Sequence, residues 1–315
     1  MEDKKETIKI IPMPITTYPL RENVVGEAGQ FVDEFIQATD SEMIYNVMGV
    51  QPDKSFLITG APGNGKTFAI EALVNQINNE PFLKFMKDPT SKTPPEFKML
   101  AFKYDTGKYG TAYINRGSKI VQSVFDTCFM VAKRGYKSMM IFDEAETLFG
   151  NRSDRVGHKE DTKVLETIMK NMQTLHDTPN AYAVMMSNFP EAFDAASIRS
   201  GRVDKRYEFG NPTQTEREFA YTHSINQINE KAGYKVVRGC DPSKLAKMSD
   251  NFSYSDITES VNSAVKQKAR DVSMRPQDGM LDLNIWITEK GVRKSIADHR
   301  EQFKTTKSRK RIGFL

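Results

Sequence analysis

As far as Pro212 the chain alternates short apolar runs with longer amphipathic stretches, and after it the pattern changes. Ser55-Phe56-Leu57-Ile58-Thr59 is a nearly continuous apolar run that stops at Gly60, which predicts a buried strand. The runs at 99–104, 138–142 and 181–186 predict three more. Between them apolar residues recur at helical spacing. Phe31, Phe35, Ile36, Met43, Ile44 and Val47 predict a helix over 31–48, and Ile70, Leu73, Val74 and Ile77 one over 66–78. Ile120, Val121, Val124, Phe125, Cys128 and Ala132 form the stripe of a helix over 119–133. Val164, Leu165, Ile168, Met169, Met172 and Leu175 mark another. Pro81, Pro89, Pro94 and Pro95 predict a loop over 80–96.

Strands alternating with helices imply an α/β fold, a mostly parallel sheet in three αβα layers. Beyond Pro212 no strand pattern remains, and 215–229, 241–248, 255–271 and 289–303 all read as helix. The expected organisation is an extended segment over 1–20, which holds Pro12, Pro14 and Pro19, an α/β domain over 21–211, a small helical domain over 212–303 and a basic tail over 304–315.

Composition narrows the class. A chain of 315 residues with 38% hydrophobic and 10% aromatic residues can bury a sizeable core. Two cysteines make no disulfide framework, and Cys128 falls in an apolar stretch, so a reducing compartment is expected. No apolar run approaches the roughly 18 residues needed to span a bilayer. The first residues are charged and lack a signal-peptide core, so the expectation is a soluble, cytoplasmic protein with no membrane partner. The net charge of +4 does not by itself argue for nucleic acid.

The chemistry is concentrated in two segments. Gly60-Ala61-Pro62-Gly63-Asn64-Gly65-Lys66-Thr67 follows a strand and opens a helix. Glycines there let backbone N–H groups approach phosphates, and the helix points its positive end at them. By chance such a pattern is expected about once in a hundred chains of this length. The phosphate-binding set is Gly60, Pro62, Gly63, Asn64, Gly65, Lys66, Thr67 and Phe68, with Lys66 on the terminal phosphates of ATP and the Thr67 hydroxyl on Mg²⁺. Asp143 and Glu144 end the third strand; Asp143 is placed to hold Mg²⁺ and Glu144 to activate the attacking water. Asn188, after the fourth strand, can hold that water or sense the γ-phosphate. Arg199, Arg202, Lys205 and Arg206 follow; arginine suits the spread charge of a phosphoryl-transfer transition state, and a solvated basic surface explains the cluster equally.

This order of motifs resembles the AAA subgroup of the AAA+ ATPases over roughly residues 22–272. The stretch Asp143-Glu144-Ala145-Glu146-Thr147-Leu148-Phe149-Gly150-Asn151-Arg152-Ser153-Asp154 is similar to that family's acidic box. Ser187-Asn188 resembles its first sensor, and Ile198-Arg199-Ser200-Gly201-Arg202-Val203-Asp204-Lys205 its arginine-finger box. The segment from Ile198 to Tyr207 also resembles Rubisco activase and the mitochondrial Bcs-type ATPases. The resemblance implies that Arg202 reaches a neighbouring subunit's nucleotide, with Lys205 or Arg206 in a second-finger position. Val25 and Gly26 in Asn23-Val24-Val25-Gly26, and Ser255 in Asn251-Phe252-Ser253-Tyr254-Ser255-Asp256-Ile257, are implied adenine contacts. The second of these segments opens a lid helix. A finger acting in trans implies a homo-oligomeric ring, usually a hexamer, around a pore. Tyr113 and Ile114 are implied on the pore loop, with Tyr109 a second candidate.

The leading expectation is an ATP hydrolase, Mg²⁺-dependent, that remodels, unfolds or disassembles a protein client. A nucleic-acid motor or loader is the alternative, supported by the basic tail (Lys304, Lys307, Arg309, Lys310, Arg311), which a solvated end explains as well. A nucleotide-gated scaffold without turnover fits less, because a pure switch has little need of Glu144.

Overall fold

The computed structural model describes residues 10–16, 18–87, 98–105, 117–149, 159–192, 203–273 and 285–311. The chain divides into two compact units, one of Met1–Ala61 with Lys66–Phe209, the other of Pro62–Gly65 with Gly210–Leu315.

The first unit is built on five strands, β1 (Ser55–Thr59), β2 (Met99–Asp105), β3 (Lys137–Asp143), β4 (Ala181–Ser187) and β5 (Lys205–Glu208), in the order β2-β3-β4-β1-β5. Every pairing is parallel. All strand carboxyl ends therefore share one edge of the sheet, where open α/β sheets bind ligands. Every residue of β1 and β4 is buried, which is why these strands read as unbroken apolar runs rather than alternating ones.

Helices cover both faces. Leu57, Phe102, Tyr104, Met140, Phe142 and Met185 face α4 (Gly117–Lys133) and α6 (Lys159–Asp177), with the short α5 (Glu146–Phe149) between these two in the chain. Phe56, Ile58, Met99, Ala101, Met139, Ile141 and Val184 face α1 (Gly26–Asp40) and α3 (Lys66–Lys87). Phe31 of α1 is fully buried, its ring centroid 5.2 Å from Tyr207, 5.9 Å from Phe56, 6.1 Å from Phe35 and 6.5 Å from Phe209. Cys128 is buried in the opposite layer and burial pushes its thiol up to about 12, so it is core.

The described part of the lead-in, residues 10–16 and 18–20, has no helix or strand of its own. Met13 N–H donates to the carbonyl of Ala101 on edge strand β2, at 2.7 Å. Asn75 accepts from Thr16 N–H at 2.8 Å and donates to the Pro19 carbonyl at 3.0 Å, tying this segment to α3. A covered edge is a blunted one.

In the first unit three elements depart from the sequence expectation. The helix over 31–48 is two, α1 and α2 (Glu42–Val47), separated at Ser41. Met43, Ile44 and Val47 are 79%, 61% and 80% exposed, so their helical spacing reflects no buried face. The helix begun at Lys66 runs on through Pro81 to Lys87, where a loop was expected. Its first turns are anchored by buried Ala69, Ile70, Leu73, Val74 and Ile77, which hold the helix although Pro81 has no N–H to donate to the preceding turn. Strand β5 was not foreseen. Its burial alternates with charged residues, as suits a short edge strand.

The second unit packs α7 (Gln214–Ala232), α8 (Pro242–Met248), α9 (Tyr254–Ser273) and α10 (Glu289–Arg311) around Tyr221, Leu245, Ile257, Val261, Val292 and Ile296. Thr213 and Glu216 form a capping box on α7, and Gly233 ends it in the left-handed region, φ 74°. The last helix includes residues expected in a basic tail. Among the described residues no helix is long and apolar enough to cross a membrane.

One ionic cluster ties α1 to β5. Glu34 accepts hydrogen bonds from Lys205 and from the Tyr207 hydroxyl, and these, in that order, pull its carboxyl from 4.5 down to about 2. Because the folded value is depressed, the stabilisation is full above about pH 4.5 and is lost as pH falls toward 2. Glu34→Gln should lower stability at neutral pH and flatten the loss over that acid window. Urea denaturation at a series of pH values checks it.

Candidate active site

The phosphate loop begins where β1 ends. The backbone of Phe209 passes so close to Gly60 that a Cβ there would lie 2.3 Å from its carbonyl oxygen, so the position admits only glycine. Gly65, with φ +83°, turns the chain into α3 in a conformation that side chains resist. Lys66 and Thr67 then occupy the first turn of α3, the usual position for a helix N-terminus to meet an anion.

Lys66 is half-buried. Its ammonium donates to the carbonyls of Gly60 at 2.7 Å and Ala61 at 3.1 Å, and to Asn188 Oδ1 at 2.8 Å. Burial lowers its pKa, and the charges of Asp143 and Glu146 oppose that shift. The lysine and the asparagine, 122 residues apart, thus meet directly at the carboxyl ends of β1 and β4.

Asp143 closes β3, and its Oδ1 accepts from the N–H of Glu144 at 3.0 Å. Glu144 has φ 52°, a left-handed conformation unusual for a residue with a Cβ. Its neighbours hold it there. Its carbonyl accepts from Thr147 N at 3.0 Å and Thr147 Oγ1 at 2.9 Å, while Ala145 N donates to the Met186 carbonyl of β4 at 2.9 Å. The side chain of Glu144 is consequently exposed at the strand ends.

The remaining candidates distribute as follows. Val25 precedes α1 in extended conformation and Gly26 begins it with φ +64°. Phe68 is partly buried, its ring edge-on to Tyr18 at 5.9 Å. In the second unit Ser255 N–H and Oγ donate to the Gly63 carbonyl at 3.2 and 3.4 Å, and Asn64 donates to Asn211 at 3.1 Å. Pro62 belongs to the same unit. Lys205 and Arg206, considered as second fingers, lie on β5, with Lys205 paired to Glu34. Arg202, Tyr113, Ile114 and Tyr109 lie outside the described residues.

Two contributors escaped the sequence reading. Asp204 Oδ2 accepts from the N–H groups of Lys54 and Ser55, at 2.8 and 2.9 Å, and anchors the start of β1. Lys103 of β2 forms an ion pair with Asp143 at 2.6 Å. The signal was a charge interrupting the apolar run 99–104.

The donor set fits a magnesium-bound nucleoside triphosphate. An ammonium, the backbone at a helix start, a hydroxyl and a carboxylate are the partners of phosphate oxygens and a hard cation. Among the described residues no group of three or more His, Cys, Asp or Glu side chains forms a cage. Thr67 and Asp143 are the residues that would hold Mg²⁺ beside the phosphates.

Residues 56–211 match the ATPase family associated with various cellular activities (AAA). The chain carries an AAA ATPase domain. It is a member of the AAA+ superfamily, it binds nucleotide, and the reaction of the domain is ATP hydrolysis. Among curated relatives, the AAA chain is 24% identical over 242 residues to proteasome-activating nucleotidase 1 of Haloferax volcanii, covering 75% of this chain and 52% of that protein. It is 24% identical over 194 residues to an AAA ATPase forming ring-shaped complexes from Corynebacterium jeikeium, covering 60% and 34%. To the 26S proteasome regulatory subunit 8 homolog of Schizosaccharomyces pombe it is 22% identical over 273 residues, covering 81% and 60%. The chain thus spans between 34% and 60% of the length of these relatives.

Proposed function

We propose that this AAA protein assembles into a homo-oligomeric ring, a hexamer, and uses Mg²⁺-dependent ATP hydrolysis to remodel or unfold a protein client. The observation that carries the reading is the meeting of Lys66 with Asn188 beside the Asp143–Glu144 strand end. Lys66 would bind the β- and γ-phosphates, exchanging its carbonyl acceptors for anionic ones that form stronger hydrogen bonds. Thr67 and Asp143 would hold Mg²⁺, which when bound neutralises developing phosphate charge. Glu144 would take the proton of the attacking water, and Asn188 would keep both that water and the lysine in place. Val25, Gly26 and Ser255 are the proposed nucleoside contacts. The names of the relatives, an AAA ATPase forming ring-shaped complexes, a proteasome-activating nucleotidase and a 26S proteasome regulatory subunit homolog, support the ring and the protein client.

A ring divides each pocket between neighbours, with Arg202 reaching across. Arg202→Ala should bind ATP and fail to hydrolyse it, and Lys66→Ala should fail to bind. Mixing the two should restore turnover at interfaces that pair an intact pocket with an intact arginine, roughly a quarter of the parental rate for equal mixing in a head-to-tail ring. ATPase assays across mixing ratios test it; mixtures no more active than the sum of their parts would argue against the shared pocket.

A further inference from the structure

Lys103 is the one charged side chain in the run Met99-Leu100-Ala101-Phe102-Lys103-Tyr104, and the register of the sheet explains where it goes. Side chains alternate along a strand. Met99 and Ala101 of β2 lie on the face covered by α3, with Met139 and Ile141 of β3, so Lys103 and Asp143 share that face. Lys103 pairs in register with Ile141, which puts Asp143 at the diagonal position one pleat further on. That diagonal is within reach of a long side chain. The contact follows: Lys103 Nζ lies 2.6 Å from Asp143 Oδ2, with both side chains partly exposed, 38% and 30%. The face is the one on which α3 presents its first turn, carrying Lys66 and Thr67.

We infer that Lys103 is a positioning residue that competes with the divalent cation for the Asp143 carboxylate. The inference rests on the reading of Asp143 as a metal ligand. One carboxylate oxygen cannot keep an ammonium at 2.6 Å and also face a doubly charged ion without strong like-charge repulsion. Metal binding therefore breaks or loosens the ion pair. Lys103 raises the cation concentration the site requires, and it supplies positive charge to ATP arriving without metal. The Oδ1 contact with Glu144 N–H is separate from the Lys103 contact, so the exchange leaves the backbone anchor of the carboxylate in place.

The test uses the full chain in a Glu144→Gln background, with Mn²⁺ as the metal probe followed by the EPR signal of the free ion, and a fluorescent ATP analogue in EDTA as the metal-free probe. Lys103→Met should tighten Mn²⁺ binding in the presence of ATP by roughly tenfold, the scale on which partners of metal ligands act, and weaken ATP binding in EDTA. Lys103→Arg should stay near the parent in both. In an Asp143→Asn background, Lys103→Met should change Mn²⁺ affinity little, because the partner is already gone. Mn²⁺ affinity unchanged or weakened in Lys103→Met, or a gain that persists in Asp143→Asn, would overturn the inference while leaving the nucleotide site standing. Loss of Lys66-dependent ATP binding in the parent chain would instead sink both. Circular dichroism of each variant shows that the fold is retained.

Discussion

Glu144→Gln should lower ATP turnover by roughly 10²–10⁴-fold, the range lost with a general base, while ATP still binds. The geometry around Glu144 makes the variant informative. Its backbone is left-handed and pinned through Asp143 Oδ1, Thr147 and the link from Ala145 to Met186, none of which involves the side chain. Glutamine has the same length and shape, so the strained turn, the strand end and the Asp143 contact persist. What disappears is the ability to accept a proton. Single-turnover hydrolysis measured beside equilibrium binding of a fluorescent ATP analogue separates the two steps. Parental turnover in Glu144→Gln would remove this residue from the chemistry. A fall in binding equal to the fall in rate would make it a ligand-binding group instead.

Phe31→Ala should destabilise the α/β unit by about 3–5 kcal/mol. Phe31 is wholly buried, and four aromatic rings lie with their centroids 5.2 to 6.5 Å away, contributed by α1 itself, by β1, and by β5 with the residue after it. Edge-on and tilted rings of this kind add to the area they bury. Removing the central ring leaves a cavity that rigid flanking strands close only partly. The loss reaches the active site by a short path. Phe209 packs on Phe31, its N–H donates to the Thr59 carbonyl, and its own carbonyl is what confines Gly60 at the start of the phosphate loop. ATP affinity should therefore fall together with stability, whereas Phe31→Leu, which keeps most of the volume, should lose less than about 1.5 kcal/mol. Urea denaturation and nucleotide titration of both variants check the pair of effects.

The elements that periodicity identified are those whose environment is uniform along their length. Strands β1, β3 and β4 lie inside a parallel sheet with helices on both faces, so burial wrote itself as an unbroken apolar run. Helix α4 was legible because its buried stripe, from Ile120 to Ala132, follows one turn period throughout. Strand β5 was not legible. Its four residues carry charges on the exposed positions, and its partner β1 lies some 150 residues earlier, as the Ser55–Asp204 contact shows. The break at Ser41 was hidden because Met43, Ile44 and Val47 keep helical spacing while facing outward. Spacing records side-chain chemistry and does not record which direction is inward.

The amino-acid sequence alone determined the α/β class, the helical last third and the phosphate loop. These depend on short-range physics: alternation, turn period, and glycines that allow left-handed backbone at fixed offsets. Tertiary structure decided the companions of that loop. Asn188 meets Lys66, Lys103 meets Asp143, and Asp204 clamps β1 only because parallel pairing brings distant strand ends to one edge in register. Long-range register is set by packing of whole layers, and no local stretch of residues encodes it.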